Sequence, residues 1–179
     1  MKDRRLLIWN RNKSKRQVRD GLTELYPRLH RYCLVLAADR ATADDLAQMA
    51  CLRALERAEQ FKPGSSLDLW LFRLTQRVWI DELRKQAVRK GGGLFSLSEV
   101  NLADQSPDPE SRAINQDVIR GVMQLPEAQR ATVLLVYGEG YKYKDAAEIL
   151  DIPVGTVMSR LAAARGQLVM RFEDQAGVG

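Results

Sequence analysis

Cysteine and histidine are almost missing from this chain: two of the first, Cys33 and Cys51, and one of the second, His30. Two thiols cannot make a disulfide scaffold or a four-ligand zinc site. A lone imidazole leaves little for metal binding or general-base chemistry. No apolar run approaches the roughly 20 residues of a membrane helix, and the N-terminus lacks the long apolar stretch of a secretory signal. Close acid pairs are few: Asp44 with Asp45, and Asp145 with Glu148. Neither has histidine support, so the site constellation of an enzyme is missing. No catalytic residue, metal or cofactor is expected, and the chain reads as a soluble, cytoplasmic protein.

What is present is ordinary globular composition and an uneven charge. With 45% apolar and 28% charged residues, wholesale disorder is excluded. The 179 residues suffice for one domain or two small ones. The net charge is +5, yet residues 1–20 alone hold +6. Residues 70–90 hold +4, residues 99–117 hold −4, and residues 153–171 carry Arg160, Arg165 and Arg171 with no acid. Separate basic blocks fit more than one contact with a polyanion, and they equally fit solvated helix faces.

Proline and glycine punctuate the chain. Leu25, Leu29, Tyr32 and Leu36 recur at helical spacing. A second helical run follows Ala43, with Leu46, Met49, Ala50 and Leu55 near one stripe and Thr42 ahead of two acids. Residues 61–66 read as a loop and residues 67–88 as a helix, with Leu67, Leu71, Leu74, Val78 and Leu83 facing a core. The triplet Gly91-Gly92-Gly93 opens a linker with Pro107 and Pro109; without a following Gly-Lys-Ser/Thr it is no phosphate loop. Pro126 suits the first turn of a further helix. The reading is all-α: a basic arm over 1–20, a helical domain over 21–90, a linker over 91–111, and a second domain over 112–174. The arm is expected to be unordered, because short tails rarely order unaided.

Residues 144–161 read as helix, tight turn, helix. Ala147 is the small residue where the helices cross, and Asp151 sits at the turn, where Asp tolerates the left-handed conformation better than most residues. Ile149, Leu150, Ile152, Val157 and Leu161 can form the shared core. The second helix, from about Val154, leaves first-turn amides for a phosphate, and Thr156, Ser159 and Arg160 face a groove. An ordinary αα-hairpin has the same pattern.

The chain resembles the extracytoplasmic-function sigma factors. Leu125-Pro126-Glu127-Ala128-Gln129-Arg130, Ala146-Ala147-Glu148-Ile149-Leu150 and Pro153-Val154-Gly155-Thr156-Val157-Met158-Ser159-Arg160-Leu161 look like their region 4. Ala43-Asp44-Asp45-Leu46-Ala47-Gln48, Arg53-Ala54-Leu55, Phe61-Lys62-Pro63-Gly64-Ser65, Trp70-Leu71-Phe72-Arg73-Leu74 and Ile80-Asp81-Glu82-Leu83-Arg84-Lys85 are similar to region 2, in the family's order.

The resemblance implies a region 2 bundle and a region 4 helix-turn-helix joined by a flexible linker. It implies that core RNA polymerase, promoter DNA and an anti-sigma factor are partners, without membrane insertion. Asp44, Asp45, Leu46 and Gln48 would bind the polymerase clamp. Lys62, Ser65, Arg73, Arg77, Asp81, Arg84 and Lys85 would recognise and melt the −10 element. Thr156, Ser159, Arg160 and Arg165 would read the −35 element. Met49, Arg77, Met158 and Ala163 depart from commoner family residues; the last two imply fewer phosphate contacts in region 4. Trp79, Cys33 and Cys51 are expected in the core, and His30 has no assigned role. The alternatives are a sigma-like decoy that binds an anti-sigma factor without recognising promoters, and a freestanding helix-turn-helix repressor, which leaves residues 43–85 unexplained.

Overall fold

The computed structural model describes residues 2–90 and 109–176, with side chains for 11–88 and 116–173. Seven α-helices and no strand occur among the described residues. They are α1 (Lys2–Ala37), α2 (Arg40–Glu56), α3 (Leu67–Lys90), α4 (Pro109–Met123), α5 (Glu127–Val133), α6 (Tyr143–Leu150) and α7 (Val154–Ala176). A 3-10 turn, Ala58–Gln60, follows α2, and a π-turn, Leu134–Gly138, continues α5. No helix among the described residues is long and apolar enough to cross a membrane. The expected linker lies largely outside the described residues, the Gly91 to Gly93 triplet included.

Helices α1, α2 and α3 form the first bundle. Leu29, Tyr32 and Leu36 are buried as their spacing predicts, and Tyr32 donates to Gln76 Oε1 at 2.6 Å inside the bundle. The N-terminal arm departs from expectation: α1 runs unbroken from Lys2, and both Ser14 and Val18 are buried. From residue 11 onward it packs through Ser14 and Val18, and its cations Arg11 and Lys15 pair with Glu59. At the other end, Ala38 takes a left-handed φ of 52° in the tight connection to α2. The cap of α2 is Asp39, whose carboxylate accepts from the Thr42 amide and hydroxyl at 2.8 and 2.7 Å, so Thr42 lies inside the helix. The buried stripe of α2 is Ala43, Leu46, Ala47, Ala50 and Ala54, which lets its backbone approach α1 closely; Leu55 is exposed.

Helices α4 to α7 form the second bundle. Pro126 (φ −52°, ψ 143°) is the cap of α5, one position before the first-turn place expected. Ile149, Leu150, Val157 and Leu161 are buried together. One hydrophobic core runs through residues of both bundles, so the two units are packed against each other.

Polar contacts reinforce that junction. Glu139, whose side chain is 2% exposed, accepts from Arg28 Nε at 2.6 Å and from Arg31 Nη2 at 3.2 Å. Tyr141 donates to Asp68 at 2.9 Å and packs its ring edge on Phe72. Arg130, 4% exposed, donates across the junction to the Val35 and Leu36 carbonyls at 2.7 and 3.2 Å. It also donates to the carbonyls of Met123 and Leu125 at 3.2 and 3.3 Å, so one guanidinium closes the C-terminus of α1 and the α4–α5 turn.

Candidate nucleic-acid and polymerase interfaces

The first candidate surface is on α2. Asp45 and Gln48 are exposed beside a groove of about 360 Å³ between α2 and α3, lined by Met49, Leu52, Trp79 and Glu82 among others. Asp44 is half-buried and holds His30 Nε2 at 2.6 Å, so the histidine left without a role orients that carboxylate. Leu46 is only 1% exposed and belongs to the bundle core, because its position falls on the alanine stripe. The apolar groups that α2 offers to a partner are Leu52, 61% exposed, and Leu55.

The second surface follows α3. The loop before it turns at Gly64, whose φ of 90° suits glycine, and the Ser65 amide and hydroxyl both donate to the Lys62 carbonyl at 3.1 and 2.7 Å. Lys62, Ser65, Arg77, Asp81, Arg84 and Lys85 are exposed. The cations have local partners: Arg84 lies 3.6 Å from Asp81 and Lys85 3.2 Å from Glu82. Such exposed pairs are weak and yield readily to a phosphate. Arg73 differs, since it is half-buried and donates to Glu148 of α6 at 3.0 Å. Trp79 is buried, as expected of a core residue.

The third surface is the helix-turn-helix of α6 and α7. Asp151 adopts φ 57°, ψ 47°, the left-handed turn anticipated for it. The Ile152 amide returns to the Ala147 carbonyl at 3.1 Å and closes α6. Ser159 is exposed, its hydroxyl on the Thr156 carbonyl at 3.0 Å. Thr156 and Arg160 are half-buried, and Arg165 is exposed with Nη2 3.4 Å from the Tyr137 hydroxyl. Gly155 opens on free space, so the first turn of α7 presents bare backbone.

Electrostatics at the junction follow from burial. Burial opposes the charge on Arg28, but the hydrogen bond and charge of Glu139 outweigh it and raise its pKa. Burial likewise works against the Asp68 carboxylate, yet hydrogen bonds from Ser66 and Tyr141 bring it below the usual range. Burial pushes the Glu127 carboxyl upward, against the Trp79 indole and the charges of Arg130 and Arg160.

The two helical units have counterparts in known proteins. Residues 22–89 match the family Sigma-70 region 2, and residues 115–168 match Sigma-70, region 4. The ECF RNA polymerase sigma factor EcfG of Rhodopseudomonas palustris is 31% identical over 153 residues, 84% of this chain and 82% of that protein. This chain is an ECF sigma factor. Another relative, SigM of Mycobacterium tuberculosis, is 34% identical over 140 residues, covering 78% of this sigma factor and 69% of SigM. In three dimensions it resembles the sigma factor RpoE in complex with the anti-sigma factor NepR from Bartonella quintana. The TM-score is 0.72 at 26% identity, over 87% of this chain and 96% of that one. CnrH, solved with the cytosolic domain of CnrY, shares the fold at a TM-score of 0.63 and 19% identity, over 96% and 97% of the two chains. Sigma factors act by binding core RNA polymerase and promoter DNA, not by catalysis.

Sequence reasoning missed several polar residues of this sigma factor. Glu139 and Arg130 lie far from Arg28, Val35 and Leu36 in sequence, and nothing local signals that they meet. Arg130 stood in a quoted motif but carried no role; a buried guanidinium needs several carbonyls, and only the packed fold supplies them. His30 and Asp44 sit 14 residues apart on different helices, so their pairing was equally invisible.

Proposed function

We propose that this sigma factor directs core RNA polymerase to promoters, region 2 recognising and melting the −10 element while region 4 reads the −35 element. The observation that carries this reading is two separate polar-basic surfaces in one chain, along α3 and on the helix-turn-helix. Asp44, Asp45 and Gln48 then bind the polymerase clamp, with Leu46 supporting them from below and Leu52 and Leu55 adding apolar contact. Lys62 and Ser65 hold an extruded base of the −10 element, because an unstacked base exposes its edges. Arg73, Arg77, Arg84 and Lys85 engage phosphates, and Asp81 orients Arg84. Thr156, Ser159, Arg160 and Arg165 meet the −35 element. The cell compartment would be the cytoplasm, where polymerase works.

The packed arrangement fits an idle state. Arg73 cannot hold Glu148 and a promoter phosphate at once, so promoter reading requires the two units to part. An anti-sigma factor, as bound by the RpoE relative, would act by favouring the closed form. Reconstituted run-off transcription with core polymerase and a fragmented genomic template tests the proposal. Discrete new starts sharing −10 and −35 elements are expected. Core binding without starts would favour the decoy reading, and loss of both would remove the sigma role.

A further inference from the structure

The loop from Lys62 to Ser66 is short and exposed, and its own bonds close only a single turn. Its two roots are held by a part of α1 that lies before the region 2 match. At the first root, Ser14 Oγ donates to the Phe61 carbonyl at 2.7 Å. The serine is 2% exposed and Phe61 is equally buried, so water does not compete for this bond. Two residues before Phe61, Glu59 of the 3-10 turn is gripped by Arg11 and by Lys15, the latter at 2.7 Å. At the second root, Gly21 faces Leu67, the first residue of α3; a Cβ there would sit 2.3 Å from Leu67 Cδ2. The tip of the Leu67 side chain thus rests against α1 where α3 begins. Positions 11, 14, 15, 18 and 21 follow the spacing of one helix face, and Val18 is wholly buried between the two grips.

We infer that residues 11–21 of α1 are a brace that sets the base-holding loop, with Ser14 as the positioning residue for base selection in the −10 element. This rests on the reading of that loop given above. The segment looks like a basic DNA-binding arm from its charge. Its packed face instead directs Arg11 and Lys15 to Glu59, where they steady the turn that feeds the loop.

The test is transcription by the reconstituted holoenzyme from a promoter panel in which each −10 base is varied in turn. Ser14→Ala removes the donor to Phe61, and its preference among bases at the extruded position is expected to fall roughly threefold to tenfold. Core affinity and −35 discrimination should stay at the wild-type level, which separates positioning from general damage. The double variant Arg11→Ala/Lys15→Ala, on exposed side chains, should shift the same preference by a smaller factor. It also serves as the test should Ser14→Ala not fold. Ser65→Ala checks the underlying reading. If Ser65→Ala alters −10 preference while the brace variants do not, the brace is wrong and the loop reading survives. Should none of the three change it, the loop reading fails and the brace falls with it.

Discussion

Arg130 shows how much one residue can carry. Its guanidinium serves four carbonyls, two at the end of α1 and two around the α4–α5 turn. Burial lowers its pKa, which nevertheless lies far above any physiological pH for an arginine. Arg130→Ala would strand buried acceptors and is expected to cost about 2–4 kcal/mol in urea unfolding. A loss below about 0.5 kcal/mol would mean that water replaces the guanidinium. Glu127, one turn earlier, makes a pH prediction. Its pKa is raised in the packed fold, above the ordinary value of about 4.3. The stabilisation from its protonated form is complete below that ordinary value and is lost as pH rises through the raised one. Glu127→Gln keeps the neutral shape, so it should be more stable than the parent at neutral pH and less pH-dependent. Urea midpoints across a pH series measure this; a glutamine variant weaker at neutral pH would contradict it.

Among the elements, the helix-turn-helix was the most legible, because local chemistry decides it. Asp151 needs a left-handed φ, and the sequence shows an Asp between two apolar runs with Pro153 just beyond. Asp151→Ala should cost about 1 kcal/mol, since the left-handed region penalises a Cβ without a compensating polar group. A thermal melt of the variant checks this, and an unchanged Tm would show that the turn is not strained. Where packing decides, the sequence misled. Helical spacing places Leu55 near the α2 stripe, but the bundle prefers small side chains there and turns Leu52 and Leu55 outward. A short tail rarely orders unaided, but here Ser14 and Val18 pack it into the bundle. Helix caps moved by a few residues because Asp39 and Thr42 could each serve, and the connection through Ala38 chose Asp39.

At the scale of the molecule, the two helical units were legible and their embrace was not. Each has its own periodicity, but the contacts joining them link residues up to 113 positions apart. Glu139 between Arg28 and Arg31, and Arg73 on Glu148, make the closed form one body. Breaking a buried charged contact from one side is costly, so Arg28→Glu, which sets like charge against Glu139, should open the free protein. Small-angle scattering would register a larger radius of gyration, and an unchanged one would show that apolar packing suffices alone.

In the proposed cycle the closed molecule is idle and opens to read a promoter. Spin labels at Glu24→Cys and Gln167→Cys, both exposed, report the separation of the units once Cys51→Ser removes the half-buried native thiol. The free chain should give a short, narrow distance distribution. Binding to core polymerase should replace it with a longer one, before any DNA is added. The same short distance in the polymerase complex would show that the units stay closed there and that opening is no part of promoter reading.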